Sequence, residues 1–158
     1  MNPLLGGAYR VLPDFWLWIV GPQHEPGGWQ PHRDMEKPDP LRDGLPELLT
    51  VWVPFTDATP LNGCIYALPL HLDPNFPDNL RERTVPVGCE RYVRALPAAR
   101  GAVLAWNQYL LHWGALSSRF ADEPRISLAF YLQRADVPPY EDGLITPGEP
   151  LPLWRRLG

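Results

Sequence analysis

The sequence predicts a mostly β, loop-rich single domain, and three observations carry that prediction. The chain has 158 residues, which suits one hydrophobic core and leaves no length for a second full domain. It contains 21 prolines, and because each removes a backbone donor and breaks a helix interior, helix bundles and coiled coils are excluded. Its apolar residues fall in short runs closed by Pro, Gly, Asn, Asp or other polar residues. Disorder is excluded too, since a chain with 7 Trp, 6 Tyr and 5 Phe has ample apolar surface to bury. The expected organisation is one domain over residues 1–158, with its core over about 15–133 and a Pro-rich tail over 134–158.

The runs come in order. Phe15–Val20 ends at Gly21-Pro22, Leu48–Phe55 at Thr56-Asp57, Cys64–Leu68 at Pro69, Ala102–Trp106 at Asn107 and Ile126–Leu132 at Gln133. Runs this short and rich in Trp, Val, Ile, Phe and Tyr read as strands, with a weaker one at Tyr92–Leu96. Most are apolar at both parities, which fits strands covered on two faces, as in a sandwich or rolled barrel. Two irregular connections interrupt them, Met35–Pro46 and about His71–Arg100, lengths common in lids or binding loops. Within the second, Asp78–Arg83 has the composition of one or two helical turns, and Arg81, Arg83, Arg91, Arg94 and Arg100 make it locally basic. That basic loop reads either as a solvated loop or as an anion-attracting lid.

The net charge is −4 and the pI near 5.5, which argues against a nucleic-acid partner and for a small-molecule one. Two cysteines, Cys64 and Cys89, make no disulfide framework. No apolar stretch has the length of a membrane span, and Met1–Arg10 lacks the pattern of a signal peptide. The expected setting is cytoplasmic, with no membrane association; any exposed apolar surface would be hidden in a homodimer.

Trp29–Asp34 contains His32-Arg33-Asp34. On a strand, residues i and i+2 share a face, so this imidazole and carboxylate can grip one ion. His112, in the run Tyr109–Gly114, supplies a third donor from a distant part of the chain. Two His and one carboxylate leave an octahedral ion three open positions, the arrangement that suits non-haem Fe(II) and its need to bind a cosubstrate and O₂. A second His-x-Asp, His71-Leu72-Asp73, competes, but it lies between Pro69 and Pro74, and only one clear run separates it from His112. Three clear runs and the weaker fourth separate His32 from His112, enough to carry the chain around and back. Arg125-Ile126-Ser127 opens the last run and places a guanidinium fork and a hydroxyl on one face, a receptor for a carboxylate. Arg119 is the poorer receptor, in mid-loop.

At these residues the sequence resembles the phytanoyl-CoA dioxygenase family of Fe(II)/2-oxoglutarate-dependent oxygenases. The likeness extends to Thr50–His71, which contains Asp57-Ala58-Thr59 and Asn62-Gly63-Cys64, and to Gly101–His112. It implies a double-stranded β-helix, or jelly roll, with His32, Asp34 and His112 holding the iron. Arg125, assisted by Ser127, would bind the distal carboxylate of 2-oxoglutarate, and Trp52 would lie beside that cosubstrate. His71 falls on a structural histidine of the family. A carboxylate at Asp34 favours hydroxylation or another oxidation over halogenation. The expected reaction couples O₂ and 2-oxoglutarate, with release of succinate and CO₂, to oxidation of a small organic molecule. Trp29, Asn107, Tyr109 and Trp113 are candidates for contact with that substrate, and Trp16 and Trp18 for the pocket wall or plain core. The competing readings are a non-catalytic jelly roll that binds a ligand or protein, and a cupin-like metalloenzyme that does not use 2-oxoglutarate.

Overall fold

The computed structural model describes residues 8–22, 28–35 and 45–140. The strands are β1 (Tyr9–Val20), β2 (Leu48–Pro54), β3 (Ile65–Leu68), β4 (Arg94–Leu96), β5 (Leu104–Asn107), β6 (Leu111–Gly114) and β7 (Arg125–Arg134). They form two antiparallel sheets, one in the order β1-β7-β2-β5 and the other in the order β4-β3-β6. Helix is confined to two single 3-10 turns, Leu70–Leu72 and Glu90–Tyr92. Asp78–Arg83, expected to be helical, makes turns instead.

Strand pairing explains where the boundaries differ from the expected runs. β1 starts six residues before Phe15 because Pro13 does not end it. β1 is an edge strand, and its register against β7 shifts between Val11 and Phe15, so the missing proline donor falls in a bulge where no ladder bond is lost. β2 is buried on nearly all its residues, as a strand apolar at both parities should be. β1 is not: Phe15, Leu17 and Ile19 point outward and are 67%, 58% and 49% exposed, while Trp16 and Trp18 on the other parity face the interior cavity. β6 falls within the run Tyr109–Gly114 that carries His112. Its Leu111 and His112 are buried and it pairs with β3.

The sheets meet through Trp52 of β2 and Trp106 of β5 on one side and Ile65 of β3 on the other, with Ala58 and Cys64 completing the core cluster. The hydrogen-bonded strands close no barrel among the described residues: the expected jelly roll is observed at the level of two facing antiparallel sheets. The connection 36–44 and the tail beyond 140 lie outside the described residues.

The Asp57–Cys64 segment turns the chain from β2 into β3. Asn62 organises it: its side-chain oxygen accepts from the Thr59 amide at 2.7 Å and its amide donates to the Asp57 carbonyl at 2.7 Å. Gly63 has a φ of +84°, and a Cβ there would stand 2.3 Å from the Ala115 carbonyl oxygen, so only glycine fits. This motif is therefore turn chemistry that delivers β3 to β6.

Candidate functional site

The site assembles where the two sheets face each other. His112 sits in β6, while His32 lies outside any regular strand and joins β6 by a single antiparallel bridge. The His32 amide donates to the His112 carbonyl and the His112 amide to the His32 carbonyl, each at 3.0 Å. Trp29 bonds to Gly114 at 2.8 Å and Met35 to Gln108 at 3.1 Å, so the segment 29–35 runs beside β6 on three tethers. The strand expected at His32–Asp34 is thus one bridge followed by a bend at Asp34. Its outcome is nevertheless the expected convergence: one donor atom from each of His32, Asp34 and His112 lies within 4.8 Å of the others.

Donor orientation is fixed by the backbone. His32 Nδ1 meets the Gln30 carbonyl at 2.8 Å and His112 Nδ1 the Leu110 carbonyl at 3.0 Å. A carbonyl oxygen only accepts, so each Nδ1 carries the proton and each Nε2 lone pair faces the cluster. The two Nε2 atoms stand 3.7 and 3.8 Å from Asp34 Oδ1. Asp34 Oδ2 is turned away from them, accepting from the Thr50 hydroxyl and from Trp106 Nε1 at 3.1 Å, and the Tyr131 hydroxyl donates to Oδ1 at 3.3 Å. Burial pushes the His112 imidazole below its ordinary pKa; the Asp34 charge opposes this and His32 reinforces it, and the balance favours the neutral, ligating form. Burial and the adjacent Asp34 charge push the Tyr131 phenol upward, so it remains a donor.

His32, Asp34 and His112 line a cavity of about 270 Å³ that also contains Arg125, Trp52, Trp16, Trp18, Trp29, Thr50, Trp106 and Tyr131. Arg125 is 2% exposed. Its Nη1 donates to the Ser127 hydroxyl at 2.6 Å, its Cζ lies 5.7 Å from the centre of the Trp52 ring, and its Nε has no partner. Burial lowers its pKa to about 10, which still leaves it charged at neutral pH. Among the described residues no carboxylate pairs with it. A buried cation with an unmet donor is costly unless an anion arrives, and the cavity is where an anion could reach it.

Not every expected site residue comes to this cavity. Trp29 lines it, with its ring 5.3 Å from Trp18 and 6.2 Å from His32. Trp113 does not: next to inward-facing His112 on a strand it takes the opposite face, stacked 5.9 Å from Tyr66. Asn107 accepts from the Tyr109 amide at 3.0 Å in the β5–β6 turn and Tyr109 is buried against Phe76, and neither lines the cavity. His71 is exposed on its 3-10 turn, and Asp73 forms a buried ion pair with Arg33. The arginines of the basic loop are exposed and line no part of the cavity, which agrees with the solvated-loop reading. Sequence reasoning missed Thr50, Trp106, Tyr131 and Arg33. Thr50 was within reach, because it shares a face with Trp52 two residues on; Tyr131 shares one with Ser127, four residues before it on β7.

The model of the phytanoyl-CoA dioxygenase (PhyH) family matches residues 5–118. The chain belongs to the phytanoyl-CoA dioxygenase family. That match holds His32, Asp34 and His112, and it ends before Arg125. No curated protein matches the chain. Among solved structures, the family fold recurs in AviO1 from Streptomyces viridochromogenes Tue57, at 21% identity and a TM-score of 0.61, over 85% of this chain and 55% of that one. It recurs in the non-heme alpha ketoglutarate dependent epimerase SnoN from nogalamycin biosynthesis, at 20% identity and a TM-score of 0.60, over 96% of this chain and 65% of that one. A third is EctD from S. alaskensis, solved with 2-oxoglutarate and 5-hydroxyectoine, at 20% identity and a TM-score of 0.57, over 83% of this chain and 46% of that one. At these identities the likeness is one of fold, and this chain spans about half the length of the first of them. No helix among the described residues is long and apolar enough to cross a membrane.

Proposed function

We propose that the protein is a non-haem Fe(II)/2-oxoglutarate-dependent dioxygenase that hydroxylates or otherwise oxidises a small organic molecule. The observation that carries this is the presence, in one cavity, of a two-His, one-carboxylate cluster and a buried arginine with no acidic partner among the described residues. The donor set fits the metal: two neutral imidazoles and one carboxylate oxygen suit Fe(II) and leave positions open, unlike a closed structural zinc site. The Arg125 fork fits the cosubstrate's far carboxylate. Likeness to a structure named as alpha ketoglutarate dependent and to one holding 2-oxoglutarate supports the same reading. So does reading the two sheets as the halves of a jelly roll in one domain over 1–158.

In this proposal His32, Asp34 and His112 hold Fe(II), Arg125 with Ser127 anchors 2-oxoglutarate, and Trp52 packs beside it. The bound iron supplies activation of O₂, coupled to conversion of 2-oxoglutarate to succinate and CO₂. The chain's task is to keep both Nε2 atoms and Asp34 Oδ1 convergent and to exclude water with Trp52, Trp106 and Tyr131. The indoles of Trp16, Trp18 and Trp29 then offer an apolar wall to the substrate. Two free cysteines support a cytoplasmic setting. The outward stripe Phe15, Leu17 and Ile19 supports a homodimer in which a second copy covers it.

Anaerobic titration with Fe(II) and 2-oxoglutarate tests the reading. A weak visible charge-transfer band is expected in the wild type and in His71→Ala, and none in His32→Ala. No band in the wild type, or one that survives His32→Ala, refutes it; succinate release with candidate substrates then identifies the reaction.

A further inference from the structure

We propose that the buried Arg33–Asp73 ion pair is a positioning device for the metal centre, through which the second His-x-Asp sequence aims the first. This inference rests on the metal-centre reading above. Arg33 lies between the two ligand residues His32 and Asp34. Its side chain leaves them for the loop that follows β3: Nη2 bonds the Asp73 carboxylate and Nη1 the Glu82 carbonyl. Both side chains of the pair are 0% exposed.

The other end of the pair is anchored. Asp73 Oδ1 accepts from the Asn75 amide at 3.0 Å, and the Asp73 amide closes the 3-10 turn onto Leu70 at 3.3 Å. That turn starts two residues past the end of β3, and β3 is the strand in which Ala67 lies opposite His112. His112 is therefore referenced to β3 by the ladder. His32 reaches the same frame by its backbone bridge to His112. Asp34 sits in a bend, and among the described residues its own segment bonds to neighbouring backbone only at Trp29, His32 and Met35. Thr50, Trp106 and Tyr131 hold the Asp34 carboxylate from the first sheet; the torsions at residue 33 set how the backbone delivers it to them, and the guanidinium, held at both Nη atoms, fixes residue 33.

A stability role alone explains this poorly. A fully buried ion pair gains little over two well-packed apolar side chains, because desolvation offsets the attraction. What the pair supplies that an apolar contact does not is direction, since a planar fork accepts its partners only at set angles. The His71-Leu72-Asp73 sequence thus contributes Asp73 as a support rather than as a ligand.

The experiment measures Co(II) affinity of the full chain by absorption and calorimetry, beside the melting temperature of the metal-free protein, without turnover. Arg33→Met/Asp73→Leu should melt at or above the wild-type temperature and bind Co(II) roughly 10- to 100-fold more weakly, the range for loss of a support to a metal ligand. Wild-type affinity in that folded variant overturns the proposal. Should the double variant lose stability as well, Asp73→Glu decides, because it keeps the charge and moves the carboxylate by one methylene. Weaker Co(II) binding at an unchanged melting temperature supports positioning; unchanged binding overturns it. A wild-type protein that binds no Co(II), or a His32→Ala variant that binds as the wild type does, would sink the metal-centre reading itself and this inference with it.

Discussion

Gly114→Ala isolates the proposed cosubstrate anchor from the proposed metal centre. Gly114 closes β6, and a Cβ built on it would lie 3.1 Å from Arg125 Nη2, where 3.4–4 Å is ordinary contact. The guanidinium must therefore retreat by a few tenths of an ångström. It has little room, being 2% exposed, tied to Ser127 at 2.6 Å and seated over Trp52. Overpacking at a site of this kind costs about 1–3 kcal/mol. Expressed as displacement of the anion receptor, that is a loss of roughly 5- to 150-fold in 2-oxoglutarate affinity at about 1.4 kcal/mol per decade. The backbone itself tolerates alanine, since Gly114 is not among the glycines with positive φ, and Gly→Ala restricts the unfolded chain by about 0.4–1 kcal/mol. Set against the overpacking cost, that leaves a net loss of up to about 2.6 kcal/mol, so the melting temperature should fall by no more than about 10 °C, and Co(II) affinity should not change. Anaerobic calorimetry with Fe(II)-loaded protein measures the loss. Wild-type 2-oxoglutarate affinity in the alanine variant would refute Arg125 as the receptor. A parallel fall in Co(II) affinity would show that the substitution acts through β6 and not through the guanidinium.

Other expectations follow from the same geometry. Thr50→Val removes the hydroxyl donor to Asp34 Oδ2 while Trp106 Nε1 remains; Co(II) affinity should fall by roughly tenfold, read by absorption titration. Trp113→Ala breaks the stack on Tyr66 and should lower the melting temperature while leaving metal and 2-oxoglutarate affinity intact, because that ring faces away from the cavity. Cys64 is wholly buried and burial pushes its thiol upward, whereas Cys89 is partly exposed, so a thiol reagent near neutral pH should label Cys89 well before Cys64, as peptide mass spectrometry would show. Arg125 is drawn down only to about 10 and keeps its charge below that value, so its contribution to anion binding should be flat from about pH 7 to about pH 9. A decline in that window, by calorimetry at several pH values, would point to another titrating group.

How much was legible in the sequence divides along physical lines. Local chemistry was: short Trp- and Val-rich runs became β2, β3, β5 and β7 with small changes at their ends, because strand propensity and turn residues act over a few positions. Edges and bulges were not, since whether Pro13 breaks β1 depends on β7 beside it, and a single chain does not display its neighbour. The same limit explains Trp113. A strand shows which residues alternate, but the run Tyr109–Gly114 was read for its histidine and not for its alternation, so the opposite facing of His112 and Trp113 went unread. His32, Asp34 and His112 were found as candidates by residue type and spacing, whereas Arg33 and Asp73 each looked like the middle or end of a motif with another purpose. Their pairing spans 40 positions in the chain, and nothing local announces a contact of that range.

The division of labour around Asp34 explains why the site needs both sheets. Its donors Thr50, Trp106 and Tyr131 come from β2, β5 and β7, all in the first sheet, while the imidazoles are held by β6 of the second. The first sheet places two donors on Oδ2 and one, the Tyr131 hydroxyl, on Oδ1, the oxygen turned toward the two Nε2 atoms. His32, Asp34 and His112 would hold the proposed ion, with the hydrogen bonds from the first sheet orienting the Asp34 carboxylate toward the two imidazoles. Trp106 stands at the join, its indole N–H on Asp34 and its ring 4.6 Å from that of His112. Neither sheet alone carries a competent donor set. The packing of Trp52, Trp106 and Ile65 between them, which reads as ordinary hydrophobic core, is therefore also what sets the distance between carboxylate and imidazoles.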